Sequence, residues 1–466
     1  MLLVLPAGYA AYSWHRFDSG VTRIDALPLP GASSTADDDD VDGEAMNILL
    51  VGDDHRPDGA SPEVLARLGT EDDGGATNTD TMIVLHVAAD GRSATMISLP
   101  RDSYVDIPGH GRDKLNAAFS YGQRDGGPSG GAQLLVSTVQ DLTGLSIDHY
   151  VRVSLLGFYD VVQALGPVDV CLVAPVKDRW SGLDLPAGES TLDAQQALAF
   201  VRQRHGLPRG DLDRQVRQQY FLTVEAERLL SAGTLLNPAK LGAVLDAVSG
   251  SLETDAGLDF LRLARQVRDL RPSEIRSATI PITGTPTITV GGRPLSIVEV
   301  DHAAMPAFVA DLIGPSDRYV AADPASPASV TVQVLNGAGT PRGAAAGTEA
   351  LQALGFATAE PGDAPTTSVT TVGYPAGQEA QAKAVADAVP GATPVQQADA
   401  TGVTLVLGTD GVTVPVVPDP AAPGTGSDVA PAPAPAAPDQ SAAPEQPDSD
   451  EPARGGTSYA EQRCIN

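Results

Sequence analysis

The sequence has little positive charge. It contains 30 Lys and Arg residues against 59 Asp and Glu, so its formal net charge is -29 at pH 7. Proteins that bind nucleic acid generally present a basic face to the phosphate backbone. The acidic composition and the lack of a helix-turn-helix pattern therefore argue against a nucleic-acid partner. They do not exclude one local site for an anion.

Cysteine is nearly absent, since the chain has only Cys171 and Cys464. Neither belongs to a Cys-x-x-Cys pair, which excludes a thiolate metal site. Cys171 lies in the apolar segment VDVCLV, and its simplest interpretation is a small buried hydrophobic residue. A bond between Cys171 and Cys464 is an alternative that the sequence leaves open.

No hydrophobic run is long enough for a membrane-spanning helix, which needs about 20 apolar residues. Residues 1–14 are largely apolar, but no basic segment precedes them as it does in a signal peptide. Two interpretations of this segment follow from the residues alone. It is either the outer end of a membrane anchor whose beginning is missing, or a frayed apolar N-terminus.

Composition divides the chain into five parts. An acidic stretch precedes the first convincing strand, and the C-terminal part is rich in Pro and Ala with scattered acids, which leaves too little apolar bulk for a core. The predicted parts are a truncated anchor with an acidic linker (1–45), a first domain (46–314), a linker (315–329), a small second domain (330–410) and a disordered tail (411–466).

Strand and helix patterns alternate in both domains, which predicts an α/β fold. In the first domain MNILLVG is typical of a buried strand, and two further strands are predicted over 81–90 and 93–100. Helices are predicted over 130–144, 191–204 and 214–233. In open sheets of this kind, ligands bind beyond the carboxyl ends of the strands.

Two aspartates stand beside predicted strand ends. Asp54 follows a strand in VGDDHR, and Asp80 precedes the next strand in NTDT. Mg²⁺ commonly takes one or two carboxylates and completes its ligands with water and phosphate oxygens. Either aspartate alone is better explained as a turn cap, but the pair together with an arginine cluster predicts a metal site.

The arginine cluster is the segment FVRQRHGLPRGDLDRQVRQQ (200–219). Arg202 and Arg204 would diverge on a helix, so both can face one anion only if the backbone between them is extended. The Gly and Pro residues that follow favour an extended backbone. Arg214 and Gln218 are four residues apart on the next predicted helix and share a face. The alternative is a surface network in which these arginines pair with neighbouring acids.

Motifs for nucleophilic or zinc-dependent hydrolysis are missing. The chain contains no GxSxG, HExxH or P-loop motif, and its histidines lack metal-ligand spacing. In SLPRDSYVD, Arg101 and Asp102 directly follow a predicted strand. These residues favour phosphate chemistry that depends on metal and guanidinium charge rather than on a covalent nucleophile.

Taken together, the segments resemble the LytR-CpsA-Psr family of cell-wall glycopolymer ligases. The resemblance covers about residues 45–314 and depends on ILLVGDDHR, NTDTMIVLHV, SLPRDSYVDIPG, DKLNAAFSYG, LGFYDVVQALGPVDV and LAFVRQRHGLPRGDLDRQVRQQ. Residues 330–410 resemble the LytR C-terminal domain of actinobacterial members through VQVLNGAG and TTVGYPAGQEAQAKAVA.

The resemblance implies an α/β/α catalytic domain with a central mixed sheet and a lipid cavity. It also implies a single-pass N-terminal anchor and a catalytic domain on the outer face of the cell membrane, which favours the anchor interpretation of residues 1–14. The implied activity moves a glycan from a polyprenyl pyrophosphate carrier to a peptidoglycan hydroxyl as a phosphodiester and releases polyprenyl phosphate. The implied partners are this lipid-linked glycan, peptidoglycan and the membrane.

Site residues carry over by motif position. Asp54 and Asp80 match the acids that bind Mg²⁺, with Mn²⁺ as the alternative metal. The predicted pyrophosphate-binding side chains are Arg56, Arg101, Lys114, Arg202, Arg204, Arg214, Arg217 and Gln218. Among these, Lys114 and Arg217, like Asp211, match positions whose roles are less defined. The predicted catalytic side chains are Arg101, Asp102, Arg202 and Arg204, with Asp102 either a general base or a partner that orients Arg101.

The chain departs from the family pattern at one place. Many members have Arg-Ser-Asp where this chain has Asn78, Thr79 and Asp80. Asn78 has no guanidinium group, so one phosphate contact is either lost or replaced by Arg56.

Two other functions remain as alternatives. With water as the acceptor, the same site is a phosphohydrolase that releases glycan phosphate. If residues 330–410 carry the function, the protein is a non-enzymatic wall-binding or regulatory scaffold.

Overall fold

The computed structural model describes residues 17, 19–27, 45–54, 61–69, 79–229, 242, 244, 246–247, 249, 252–314, 319, 322–367, 369–375, 377–397, 400–415, 456–459 and 464–466. The predicted anchor segment, most of the acidic linker and most of the tail lie outside these residues, as do Arg56 and Asn78. Within the described part, no helix has both the length and the apolar character that crossing a membrane requires.

A seven-stranded mixed sheet lies at the centre of the first domain. The strands of this domain are, in chain order, β1 (Thr22–Ile24), β2 (Met46–Asp53), β3 (Thr79–Val87), β4 (Ala94–Ser98), β5 (Tyr104–Ile107), β6 (Gly111–Lys114), β7 (His149–Val153), β8 (Val168–Leu172), β9 (Val176–Asp178), β10 (Leu183–Leu185), β11 (Gly188–Leu192), β12 (Leu252–Asp255), β13 (Ile275–Thr279), β14 (Ile282–Gly284), β15 (Thr287–Val290), β16 (Arg293–Ser296) and β17 (Glu299–Val300). The central sheet has the order β1-β12-β7-β2-β3-β4-β13. Three neighbouring pairs are parallel (β1 with β12, β7 with β2, β4 with β13) and three are antiparallel (β12 with β7, β2 with β3, β3 with β4).

Helices cover both faces of this sheet. They are α1 (Pro62–Arg67), α2 (Leu115–Thr143), α3 (Leu155–Leu165), α4 (Ala194–Arg202), α5 (Asp211–Leu229), α6 (Phe260–Gln266) and α7 (Met305–Ile313). Successive side chains of a strand point to opposite faces. Accordingly, Leu49 and Val51 of β2 pack in a core with Leu135 of α2, whereas Leu50 packs in a cluster with Leu222 of α5. The predicted α/β/α fold with a central mixed sheet is confirmed.

The starts of three helices differ from the sequence-based prediction, and α5 begins at Asp211 rather than at residue 214. Helix α2 begins at Leu115 rather than at residue 130, and it is interrupted at Gly126 and Gly127, where Gly127 has a φ of 66°. Helix α4 begins at Ala194 rather than at Thr191, because Asp193 caps it in a reciprocal pair of hydrogen bonds with Gln196. A side chain that binds the free N–H groups of the first turn fixes where a helix starts.

The small second domain has its own sheet and core. Its strands are β18 (Thr331–Asn336), β19 (Ala357–Thr358), β20 (Gly362–Asp363), β21 (Thr371–Tyr374), β22 (Thr393–Gln396) and β23 (Val403–Leu407), and its helices are α8 (Gly343–Ala353) and α9 (Glu379–Ala388). The sheet has the order β19-β18-β23-β21-β22, with β20 also on β18. Val332, Leu351, Val385 and Leu405 are fully buried in one cluster, so the predicted small α/β domain is confirmed.

The two ends of the described chain differ from the expectation of linker and tail. Residues of the predicted N-terminal linker form β1, which pairs with β12 at the edge of the central sheet. At the other end, Ile465 exchanges backbone hydrogen bonds with Cys171 and Val173 at β8, and Tyr459 and Ile465 are both buried in the core of the first domain. The end of the predicted tail therefore packs as part of the first domain.

Cys171 is buried, as its simplest interpretation predicted, but it is not an unbonded thiol. It forms a disulfide with Cys464, 293 positions away. The bond forms because the C-terminal segment pairs with β8 and thereby brings the two residues together. The longer the loop that a disulfide closes, the more it restricts the unfolded chain.

His86 generates a prediction about pH. It lies in β3, is 8% exposed and donates from Nδ1 to Oδ1 of Asn47 at 2.9 Å. Burial lowers the pKa of His86 to about 4, against about 6.5 in an unfolded chain. Because the folded protein binds this proton more weakly, we expect about 3 kcal/mol of stability to be lost as pH falls from about 6.5 to 4, with no further loss from His86 below that.

Urea unfolding of the wild type and of His86→Gln at pH 7, 6, 5 and 4 measures this contribution. The Gln side chain keeps an amide donor for Asn47 but does not titrate, so the variant should lose the His86 part of the pH slope. Asp255 contributes acid sensitivity to both proteins. Burial raises the pKa of Asp255, but His149 and backbone N–H groups lower it by more. Parallel stability curves would contradict the prediction.

Candidate active site

A cavity opens between the central sheet and the helices α3, α4 and α5. Its volume is about 200 Å³. Its inner wall is apolar and is formed by side chains of the sheet and of all three helices, among them Ile83, Phe158, Leu198, Phe221 and Leu222. Its polar lining includes Asp54, Asp80, Arg202, Arg214 and Gln218. The cavity therefore combines an apolar interior with charged side chains from three separate segments of the sequence.

Asp54, which directly follows β2, and its neighbour Asp53, the last residue of β2, both line this cavity. Asp53 is 5% exposed and forms a buried ion pair with Arg152 at 3.0 Å. Arg152 also binds Glu253 at 2.9 Å. Asp53 is therefore paired with Arg152 while both acids line the cavity.

Asp80 is held by two arginines. The Arg101 guanidinium donates to its carboxylate. Arg214 donates from Nη2 to the Asp80 backbone oxygen at 3.0 Å, and its Nη1 lies 3.8 Å from Oδ2 of the same residue. Arg214 also pairs with Asp211 at 2.8 Å. The structure thus brings together predicted residues from NTDT, SLPRDSYVD and the arginine segment 200–219.

Arg202 and Arg204 flank the end of α4. The residue between them, Gln203, has an extended backbone (φ −62°, ψ 133°), as the prediction for two converging arginines requires. Arg202 donates to the backbone oxygen of Leu68 at 3.1 Å, while Arg204 is exposed. In α5, Gln218 donates to the backbone oxygen of Val201 at 3.2 Å, which ties the end of α4 to α5.

Lys114 and Asp102 lie on the other side of Arg101. Lys114 Nζ is 3.0 Å from Oδ1 of Asp102, and Asp102 Oδ2 is 3.9 Å from Arg101 Nε. Asp211 Oδ1 is 3.8 Å from the same Arg101 atom. Asp102 therefore sits between two cations, a position suited to orienting Arg101.

The pKa values of Arg101 and Arg214 depend on burial and on these acids. Burial alone would lower the pKa of Arg101, but Asp80, Asp211 and Asp102 together raise it. Burial is also the largest influence on Arg214 and lowers its pKa, and the positive charges of Arg101 and Arg204 lower it further. Arg204 is therefore close enough for its charge to act on Arg214.

Arg217 is not brought to the cavity, which corrects the prediction that it binds pyrophosphate. It is 2% exposed, donates from Nε to the backbone oxygen of Asn466 at 2.9 Å and donates from Nη1 to Gln203. Its guanidinium lies over the Phe200 ring at 5.0 Å. The C-terminal segment, which could not be placed from sequence, occupies the side of α5 toward which Arg217 points.

A larger depression of about 470 Å³ lies beside the cavity. It is wide open, and its charged side chains are the acids Asp160 and Asp246. An anionic ligand is repelled by such a lining. The smaller cavity is therefore the better candidate site, because it alone of the two combines an apolar wall with arginines.

Asp54 and Asp80, the two acids predicted to hold a metal ion, both line the cavity. Among the described residues, no group of three or more His, Cys, Asp or Glu side chains is arranged to hold one. Two carboxylates together with water and phosphate oxygens are nevertheless a ligand set that Mg²⁺ accepts. A metal ion at the polar lining of the cavity would need oxygens of the substrate to complete its coordination.

Sequence reasoning missed two parts of the site. The apolar wall was not singled out, although LLGFYDVVQAL in α3 is apolar on most of its surface, a pattern that indicates contacts on several sides. Gln203 was missed because a lone Gln between two arginines carries no motif. Its burial depends on α5 and the C-terminal segment.

Family models match most of the chain. The model described as the LytR_cpsA_psr family matches residues 27–305. The model described as LytR cell envelope-related transcriptional attenuator matches residues 329–410.

Individual relatives are also similar. Cell wall biosynthesis protein LcpA of Corynebacterium glutamicum is 37% identical over 404 residues, covering 78% of this chain and 74% of LcpA. The polyisoprenyl-teichoic acid–peptidoglycan teichoic acid transferase TagU of Oceanobacillus iheyensis is 36% identical over 219 residues, covering 47% of this chain and 61% of TagU. The solved structure of Bacillus subtilis TagV covers 56% of this chain and 93% of TagV with 25% identity and a TM-score of 0.43.

Alanine substitutions of Arg217 and Arg204 should differ in their effect on the free energy of unfolding. Arg217→Ala leaves Gln203 and the Asn466 oxygen without a buried donor, which should lower the free energy of unfolding by about 3 kcal/mol. Arg204→Ala removes an exposed side chain and should change it by less than about 0.5 kcal/mol. Chemical denaturation of both variants checks this, and equal stabilities would show that Arg217 has no structural role.

Proposed function

The chain belongs to the LytR-CpsA-Psr family, as its motifs predicted, and we propose that it transfers a glycan from a polyprenyl pyrophosphate carrier to a hydroxyl group of peptidoglycan. Relatives named for cell wall biosynthesis and for transfer of teichoic acid to peptidoglycan support this proposal. One observation carries it. Asp54, Asp80, Arg202, Arg214 and Gln218, predicted from separate motifs, line one apolar cavity.

The two halves of the cavity suit the two halves of such a donor. The apolar wall offers a dry surface to a prenyl chain, and each buried methylene group contributes about 0.8 kcal/mol. At the polar lining, guanidinium groups bind phosphate oxygens with two parallel hydrogen bonds. Arg202, Arg204 and Arg214 are the side chains we propose for this contact, with Arg101 and Lys114 beside them.

The proposed reaction is an in-line displacement at phosphorus. The acceptor hydroxyl oxygen attacks the glycan-side phosphorus and forms a new P–O bond. The bond from that phosphorus to the bridging oxygen breaks, and polyprenyl phosphate leaves with the electron pair. The arginines stabilise the charge that develops on the phosphate oxygens. Asp102 either accepts the hydroxyl proton or orients Arg101, in which case the leaving phosphate oxygen takes the proton; the contacts of Asp102 with Lys114 and Arg101 favour orientation.

Mg²⁺, with Mn²⁺ as the alternative, is the cation we propose for Asp54 and Asp80. When bound, it supplies positive charge against the pyrophosphate oxygens. The charge balance of the site supports a cation, because Arg101 and Arg214 are already paired with Asp80 and Asp211. A cation on Asp80 would free these arginines for the phosphate groups.

An extracytoplasmic position for the catalytic domain, held by an N-terminal anchor, is part of the same proposal. The disulfide between Cys171 and Cys464 supports it, since disulfides persist in oxidising compartments and are rare in the cytosol.

Replacing either Arg202 or Arg204 should strongly reduce glycan transfer. We expect Arg202→Ala and Arg204→Ala to reduce glycan transfer from a lipid-linked donor to peptidoglycan by about 100-fold or more, because each removes charge that stabilises the transition state. Arg209→Ala is the matched control, since Arg209 is exposed and pairs with Asp213 at 2.8 Å. Full activity in folded Arg202→Ala and Arg204→Ala proteins would refute the site assignment.

The same assay distinguishes the hydrolase alternative. Wild-type protein incubated with donor alone should release little glycan phosphate, and added peptidoglycan should acquire the glycan. Equal release of glycan phosphate with and without peptidoglycan would favour water as the acceptor.

Chelation should weaken donor binding. Calorimetric titration with geranyl pyrophosphate should give an affinity at least about tenfold lower in EDTA than in Mg²⁺, because Asp54 and Asp80 then repel the ligand. Asp54→Asn should reduce this difference. Identical affinities with and without metal in the wild type would rule out a metal that bridges protein and pyrophosphate.

A further inference from the structure

Gln203 is buried between two exposed or half-exposed arginines. Its side chain is 1% exposed, whereas Arg202 is partly exposed and Arg204 is exposed. Along an extended backbone, successive side chains point to opposite sides. A Gln203 side chain fixed toward the interior therefore turns Arg202 and Arg204 to the same outer side.

Two hydrogen bonds fix the Gln203 side chain. Its Oε1 accepts from Nη1 of Arg217, and its Nε2 donates to the backbone oxygen of His205 at 3.0 Å. The second bond closes a short ring around Arg204, since it joins the residues on either side of it. The first bond connects this ring to α5.

Arg217 is itself fixed from three directions. Its Nε donates to the backbone oxygen of Asn466, its guanidinium covers the Phe200 ring, and Gln203 accepts from Nη1. The Asn466 oxygen is positioned by its neighbour Ile465, whose backbone pairs with Cys171 and Val173. Of the described carboxylates, none lies within salt-bridge distance of Arg217, so its charge is stabilised by these oxygens, by the Phe200 ring and, at longer range, by Asp213.

We propose that Gln203 is a positioning residue for Arg202 and Arg204, and that Arg217 and residues 464–466 hold it in place. This inference rests on the proposed function, because it assigns a task to residues beside the proposed pyrophosphate site. In the wild type the two arginines are ordered before the ligand arrives. Without Gln203, binding must itself order the backbone from Arg202 to His205, which lowers affinity.

Affinity for geranyl pyrophosphate, measured by calorimetry on the full chain in Mg²⁺, tests the proposal. Gln203→Met keeps the size of the side chain but removes both hydrogen bonds, and we expect about tenfold weaker binding. Arg217→Lys keeps the charge but cannot span Gln203 and Asn466, so it should show a similar loss. Gln203→Glu keeps an oxygen acceptor toward Arg217 and should recover part of the affinity.

Gln266→Met is the matched control. Gln266 is 7% exposed, and its Nε2 donates to the backbone oxygen of Ala88 at 3.2 Å, away from the cavity. We expect this variant to lose thermal stability without any change in affinity. Binding is measured well below each unfolding midpoint, so that a purely structural role of Gln203 would leave its affinity unchanged.

The Arg202→Ala variant distinguishes a failure of the positioning role of Gln203 from a failure of the site assignment. If Arg202→Ala binds weakly and Gln203→Met, Arg217→Lys and Gln203→Glu all bind as the wild type does, the positioning role is wrong and the site assignment stands. If Arg202→Ala also binds as the wild type does, the proposed site is wrong. Weak binding by Gln203→Met and Arg217→Lys with partial recovery in Gln203→Glu supports the proposal.

Discussion

The contact between one polar face of α5 and the end of α4 holds the site together. The last carbonyl groups of a helix lack partners within the helix. At the end of α4, Gln218 donates to the Val201 oxygen and Arg217 donates to Gln203. Arg214 is three and four residues before them and so shares this face, where it holds Asp80 at the start of β3. One helix face thus links the arginine segment to the acid segment.

Charge balance explains why so many charged groups can lie at the edge of an apolar cavity. Removing an ion from water is costly unless a partner or hydrogen bonds compensate it. Here Arg101 and Arg214 are compensated by Asp80 and Asp211, and Arg217 by oxygens and the Phe200 ring. A pyrophosphate bound together with a cation, as we propose, would exchange partners in this network without leaving any of these charges unpaired. With a net charge of -29, most of the chain repels such a ligand, which favours this one basic location.

Local patterns predicted the parts of the fold and site that depend on local physics. Apolar runs located β2 and β3, and the Gly and Pro residues after Arg204 predicted the extended backbone at Gln203. Spacing of four residues predicted that Arg214 and Gln218 share a face. Burial of Arg217 was not predictable in the same way, because it depends on a C-terminal segment about 250 positions away. The bond between Cys171 and Cys464 and the packing of Ile465 arise from the same long-range contact, for which the intervening sequence contains no local signal.

A crystal structure of the protein with a short-chain polyprenyl pyrophosphate and Mg²⁺ tests the central claim most directly, namely that one cavity binds both halves of the donor. We expect prenyl density along Phe158, Leu198 and Phe221 and pyrophosphate oxygens within hydrogen-bond distance of Arg202, Arg204 and Arg214. A ligand seated in the larger depression beside Asp160, or a prenyl chain outside the cavity, would contradict it.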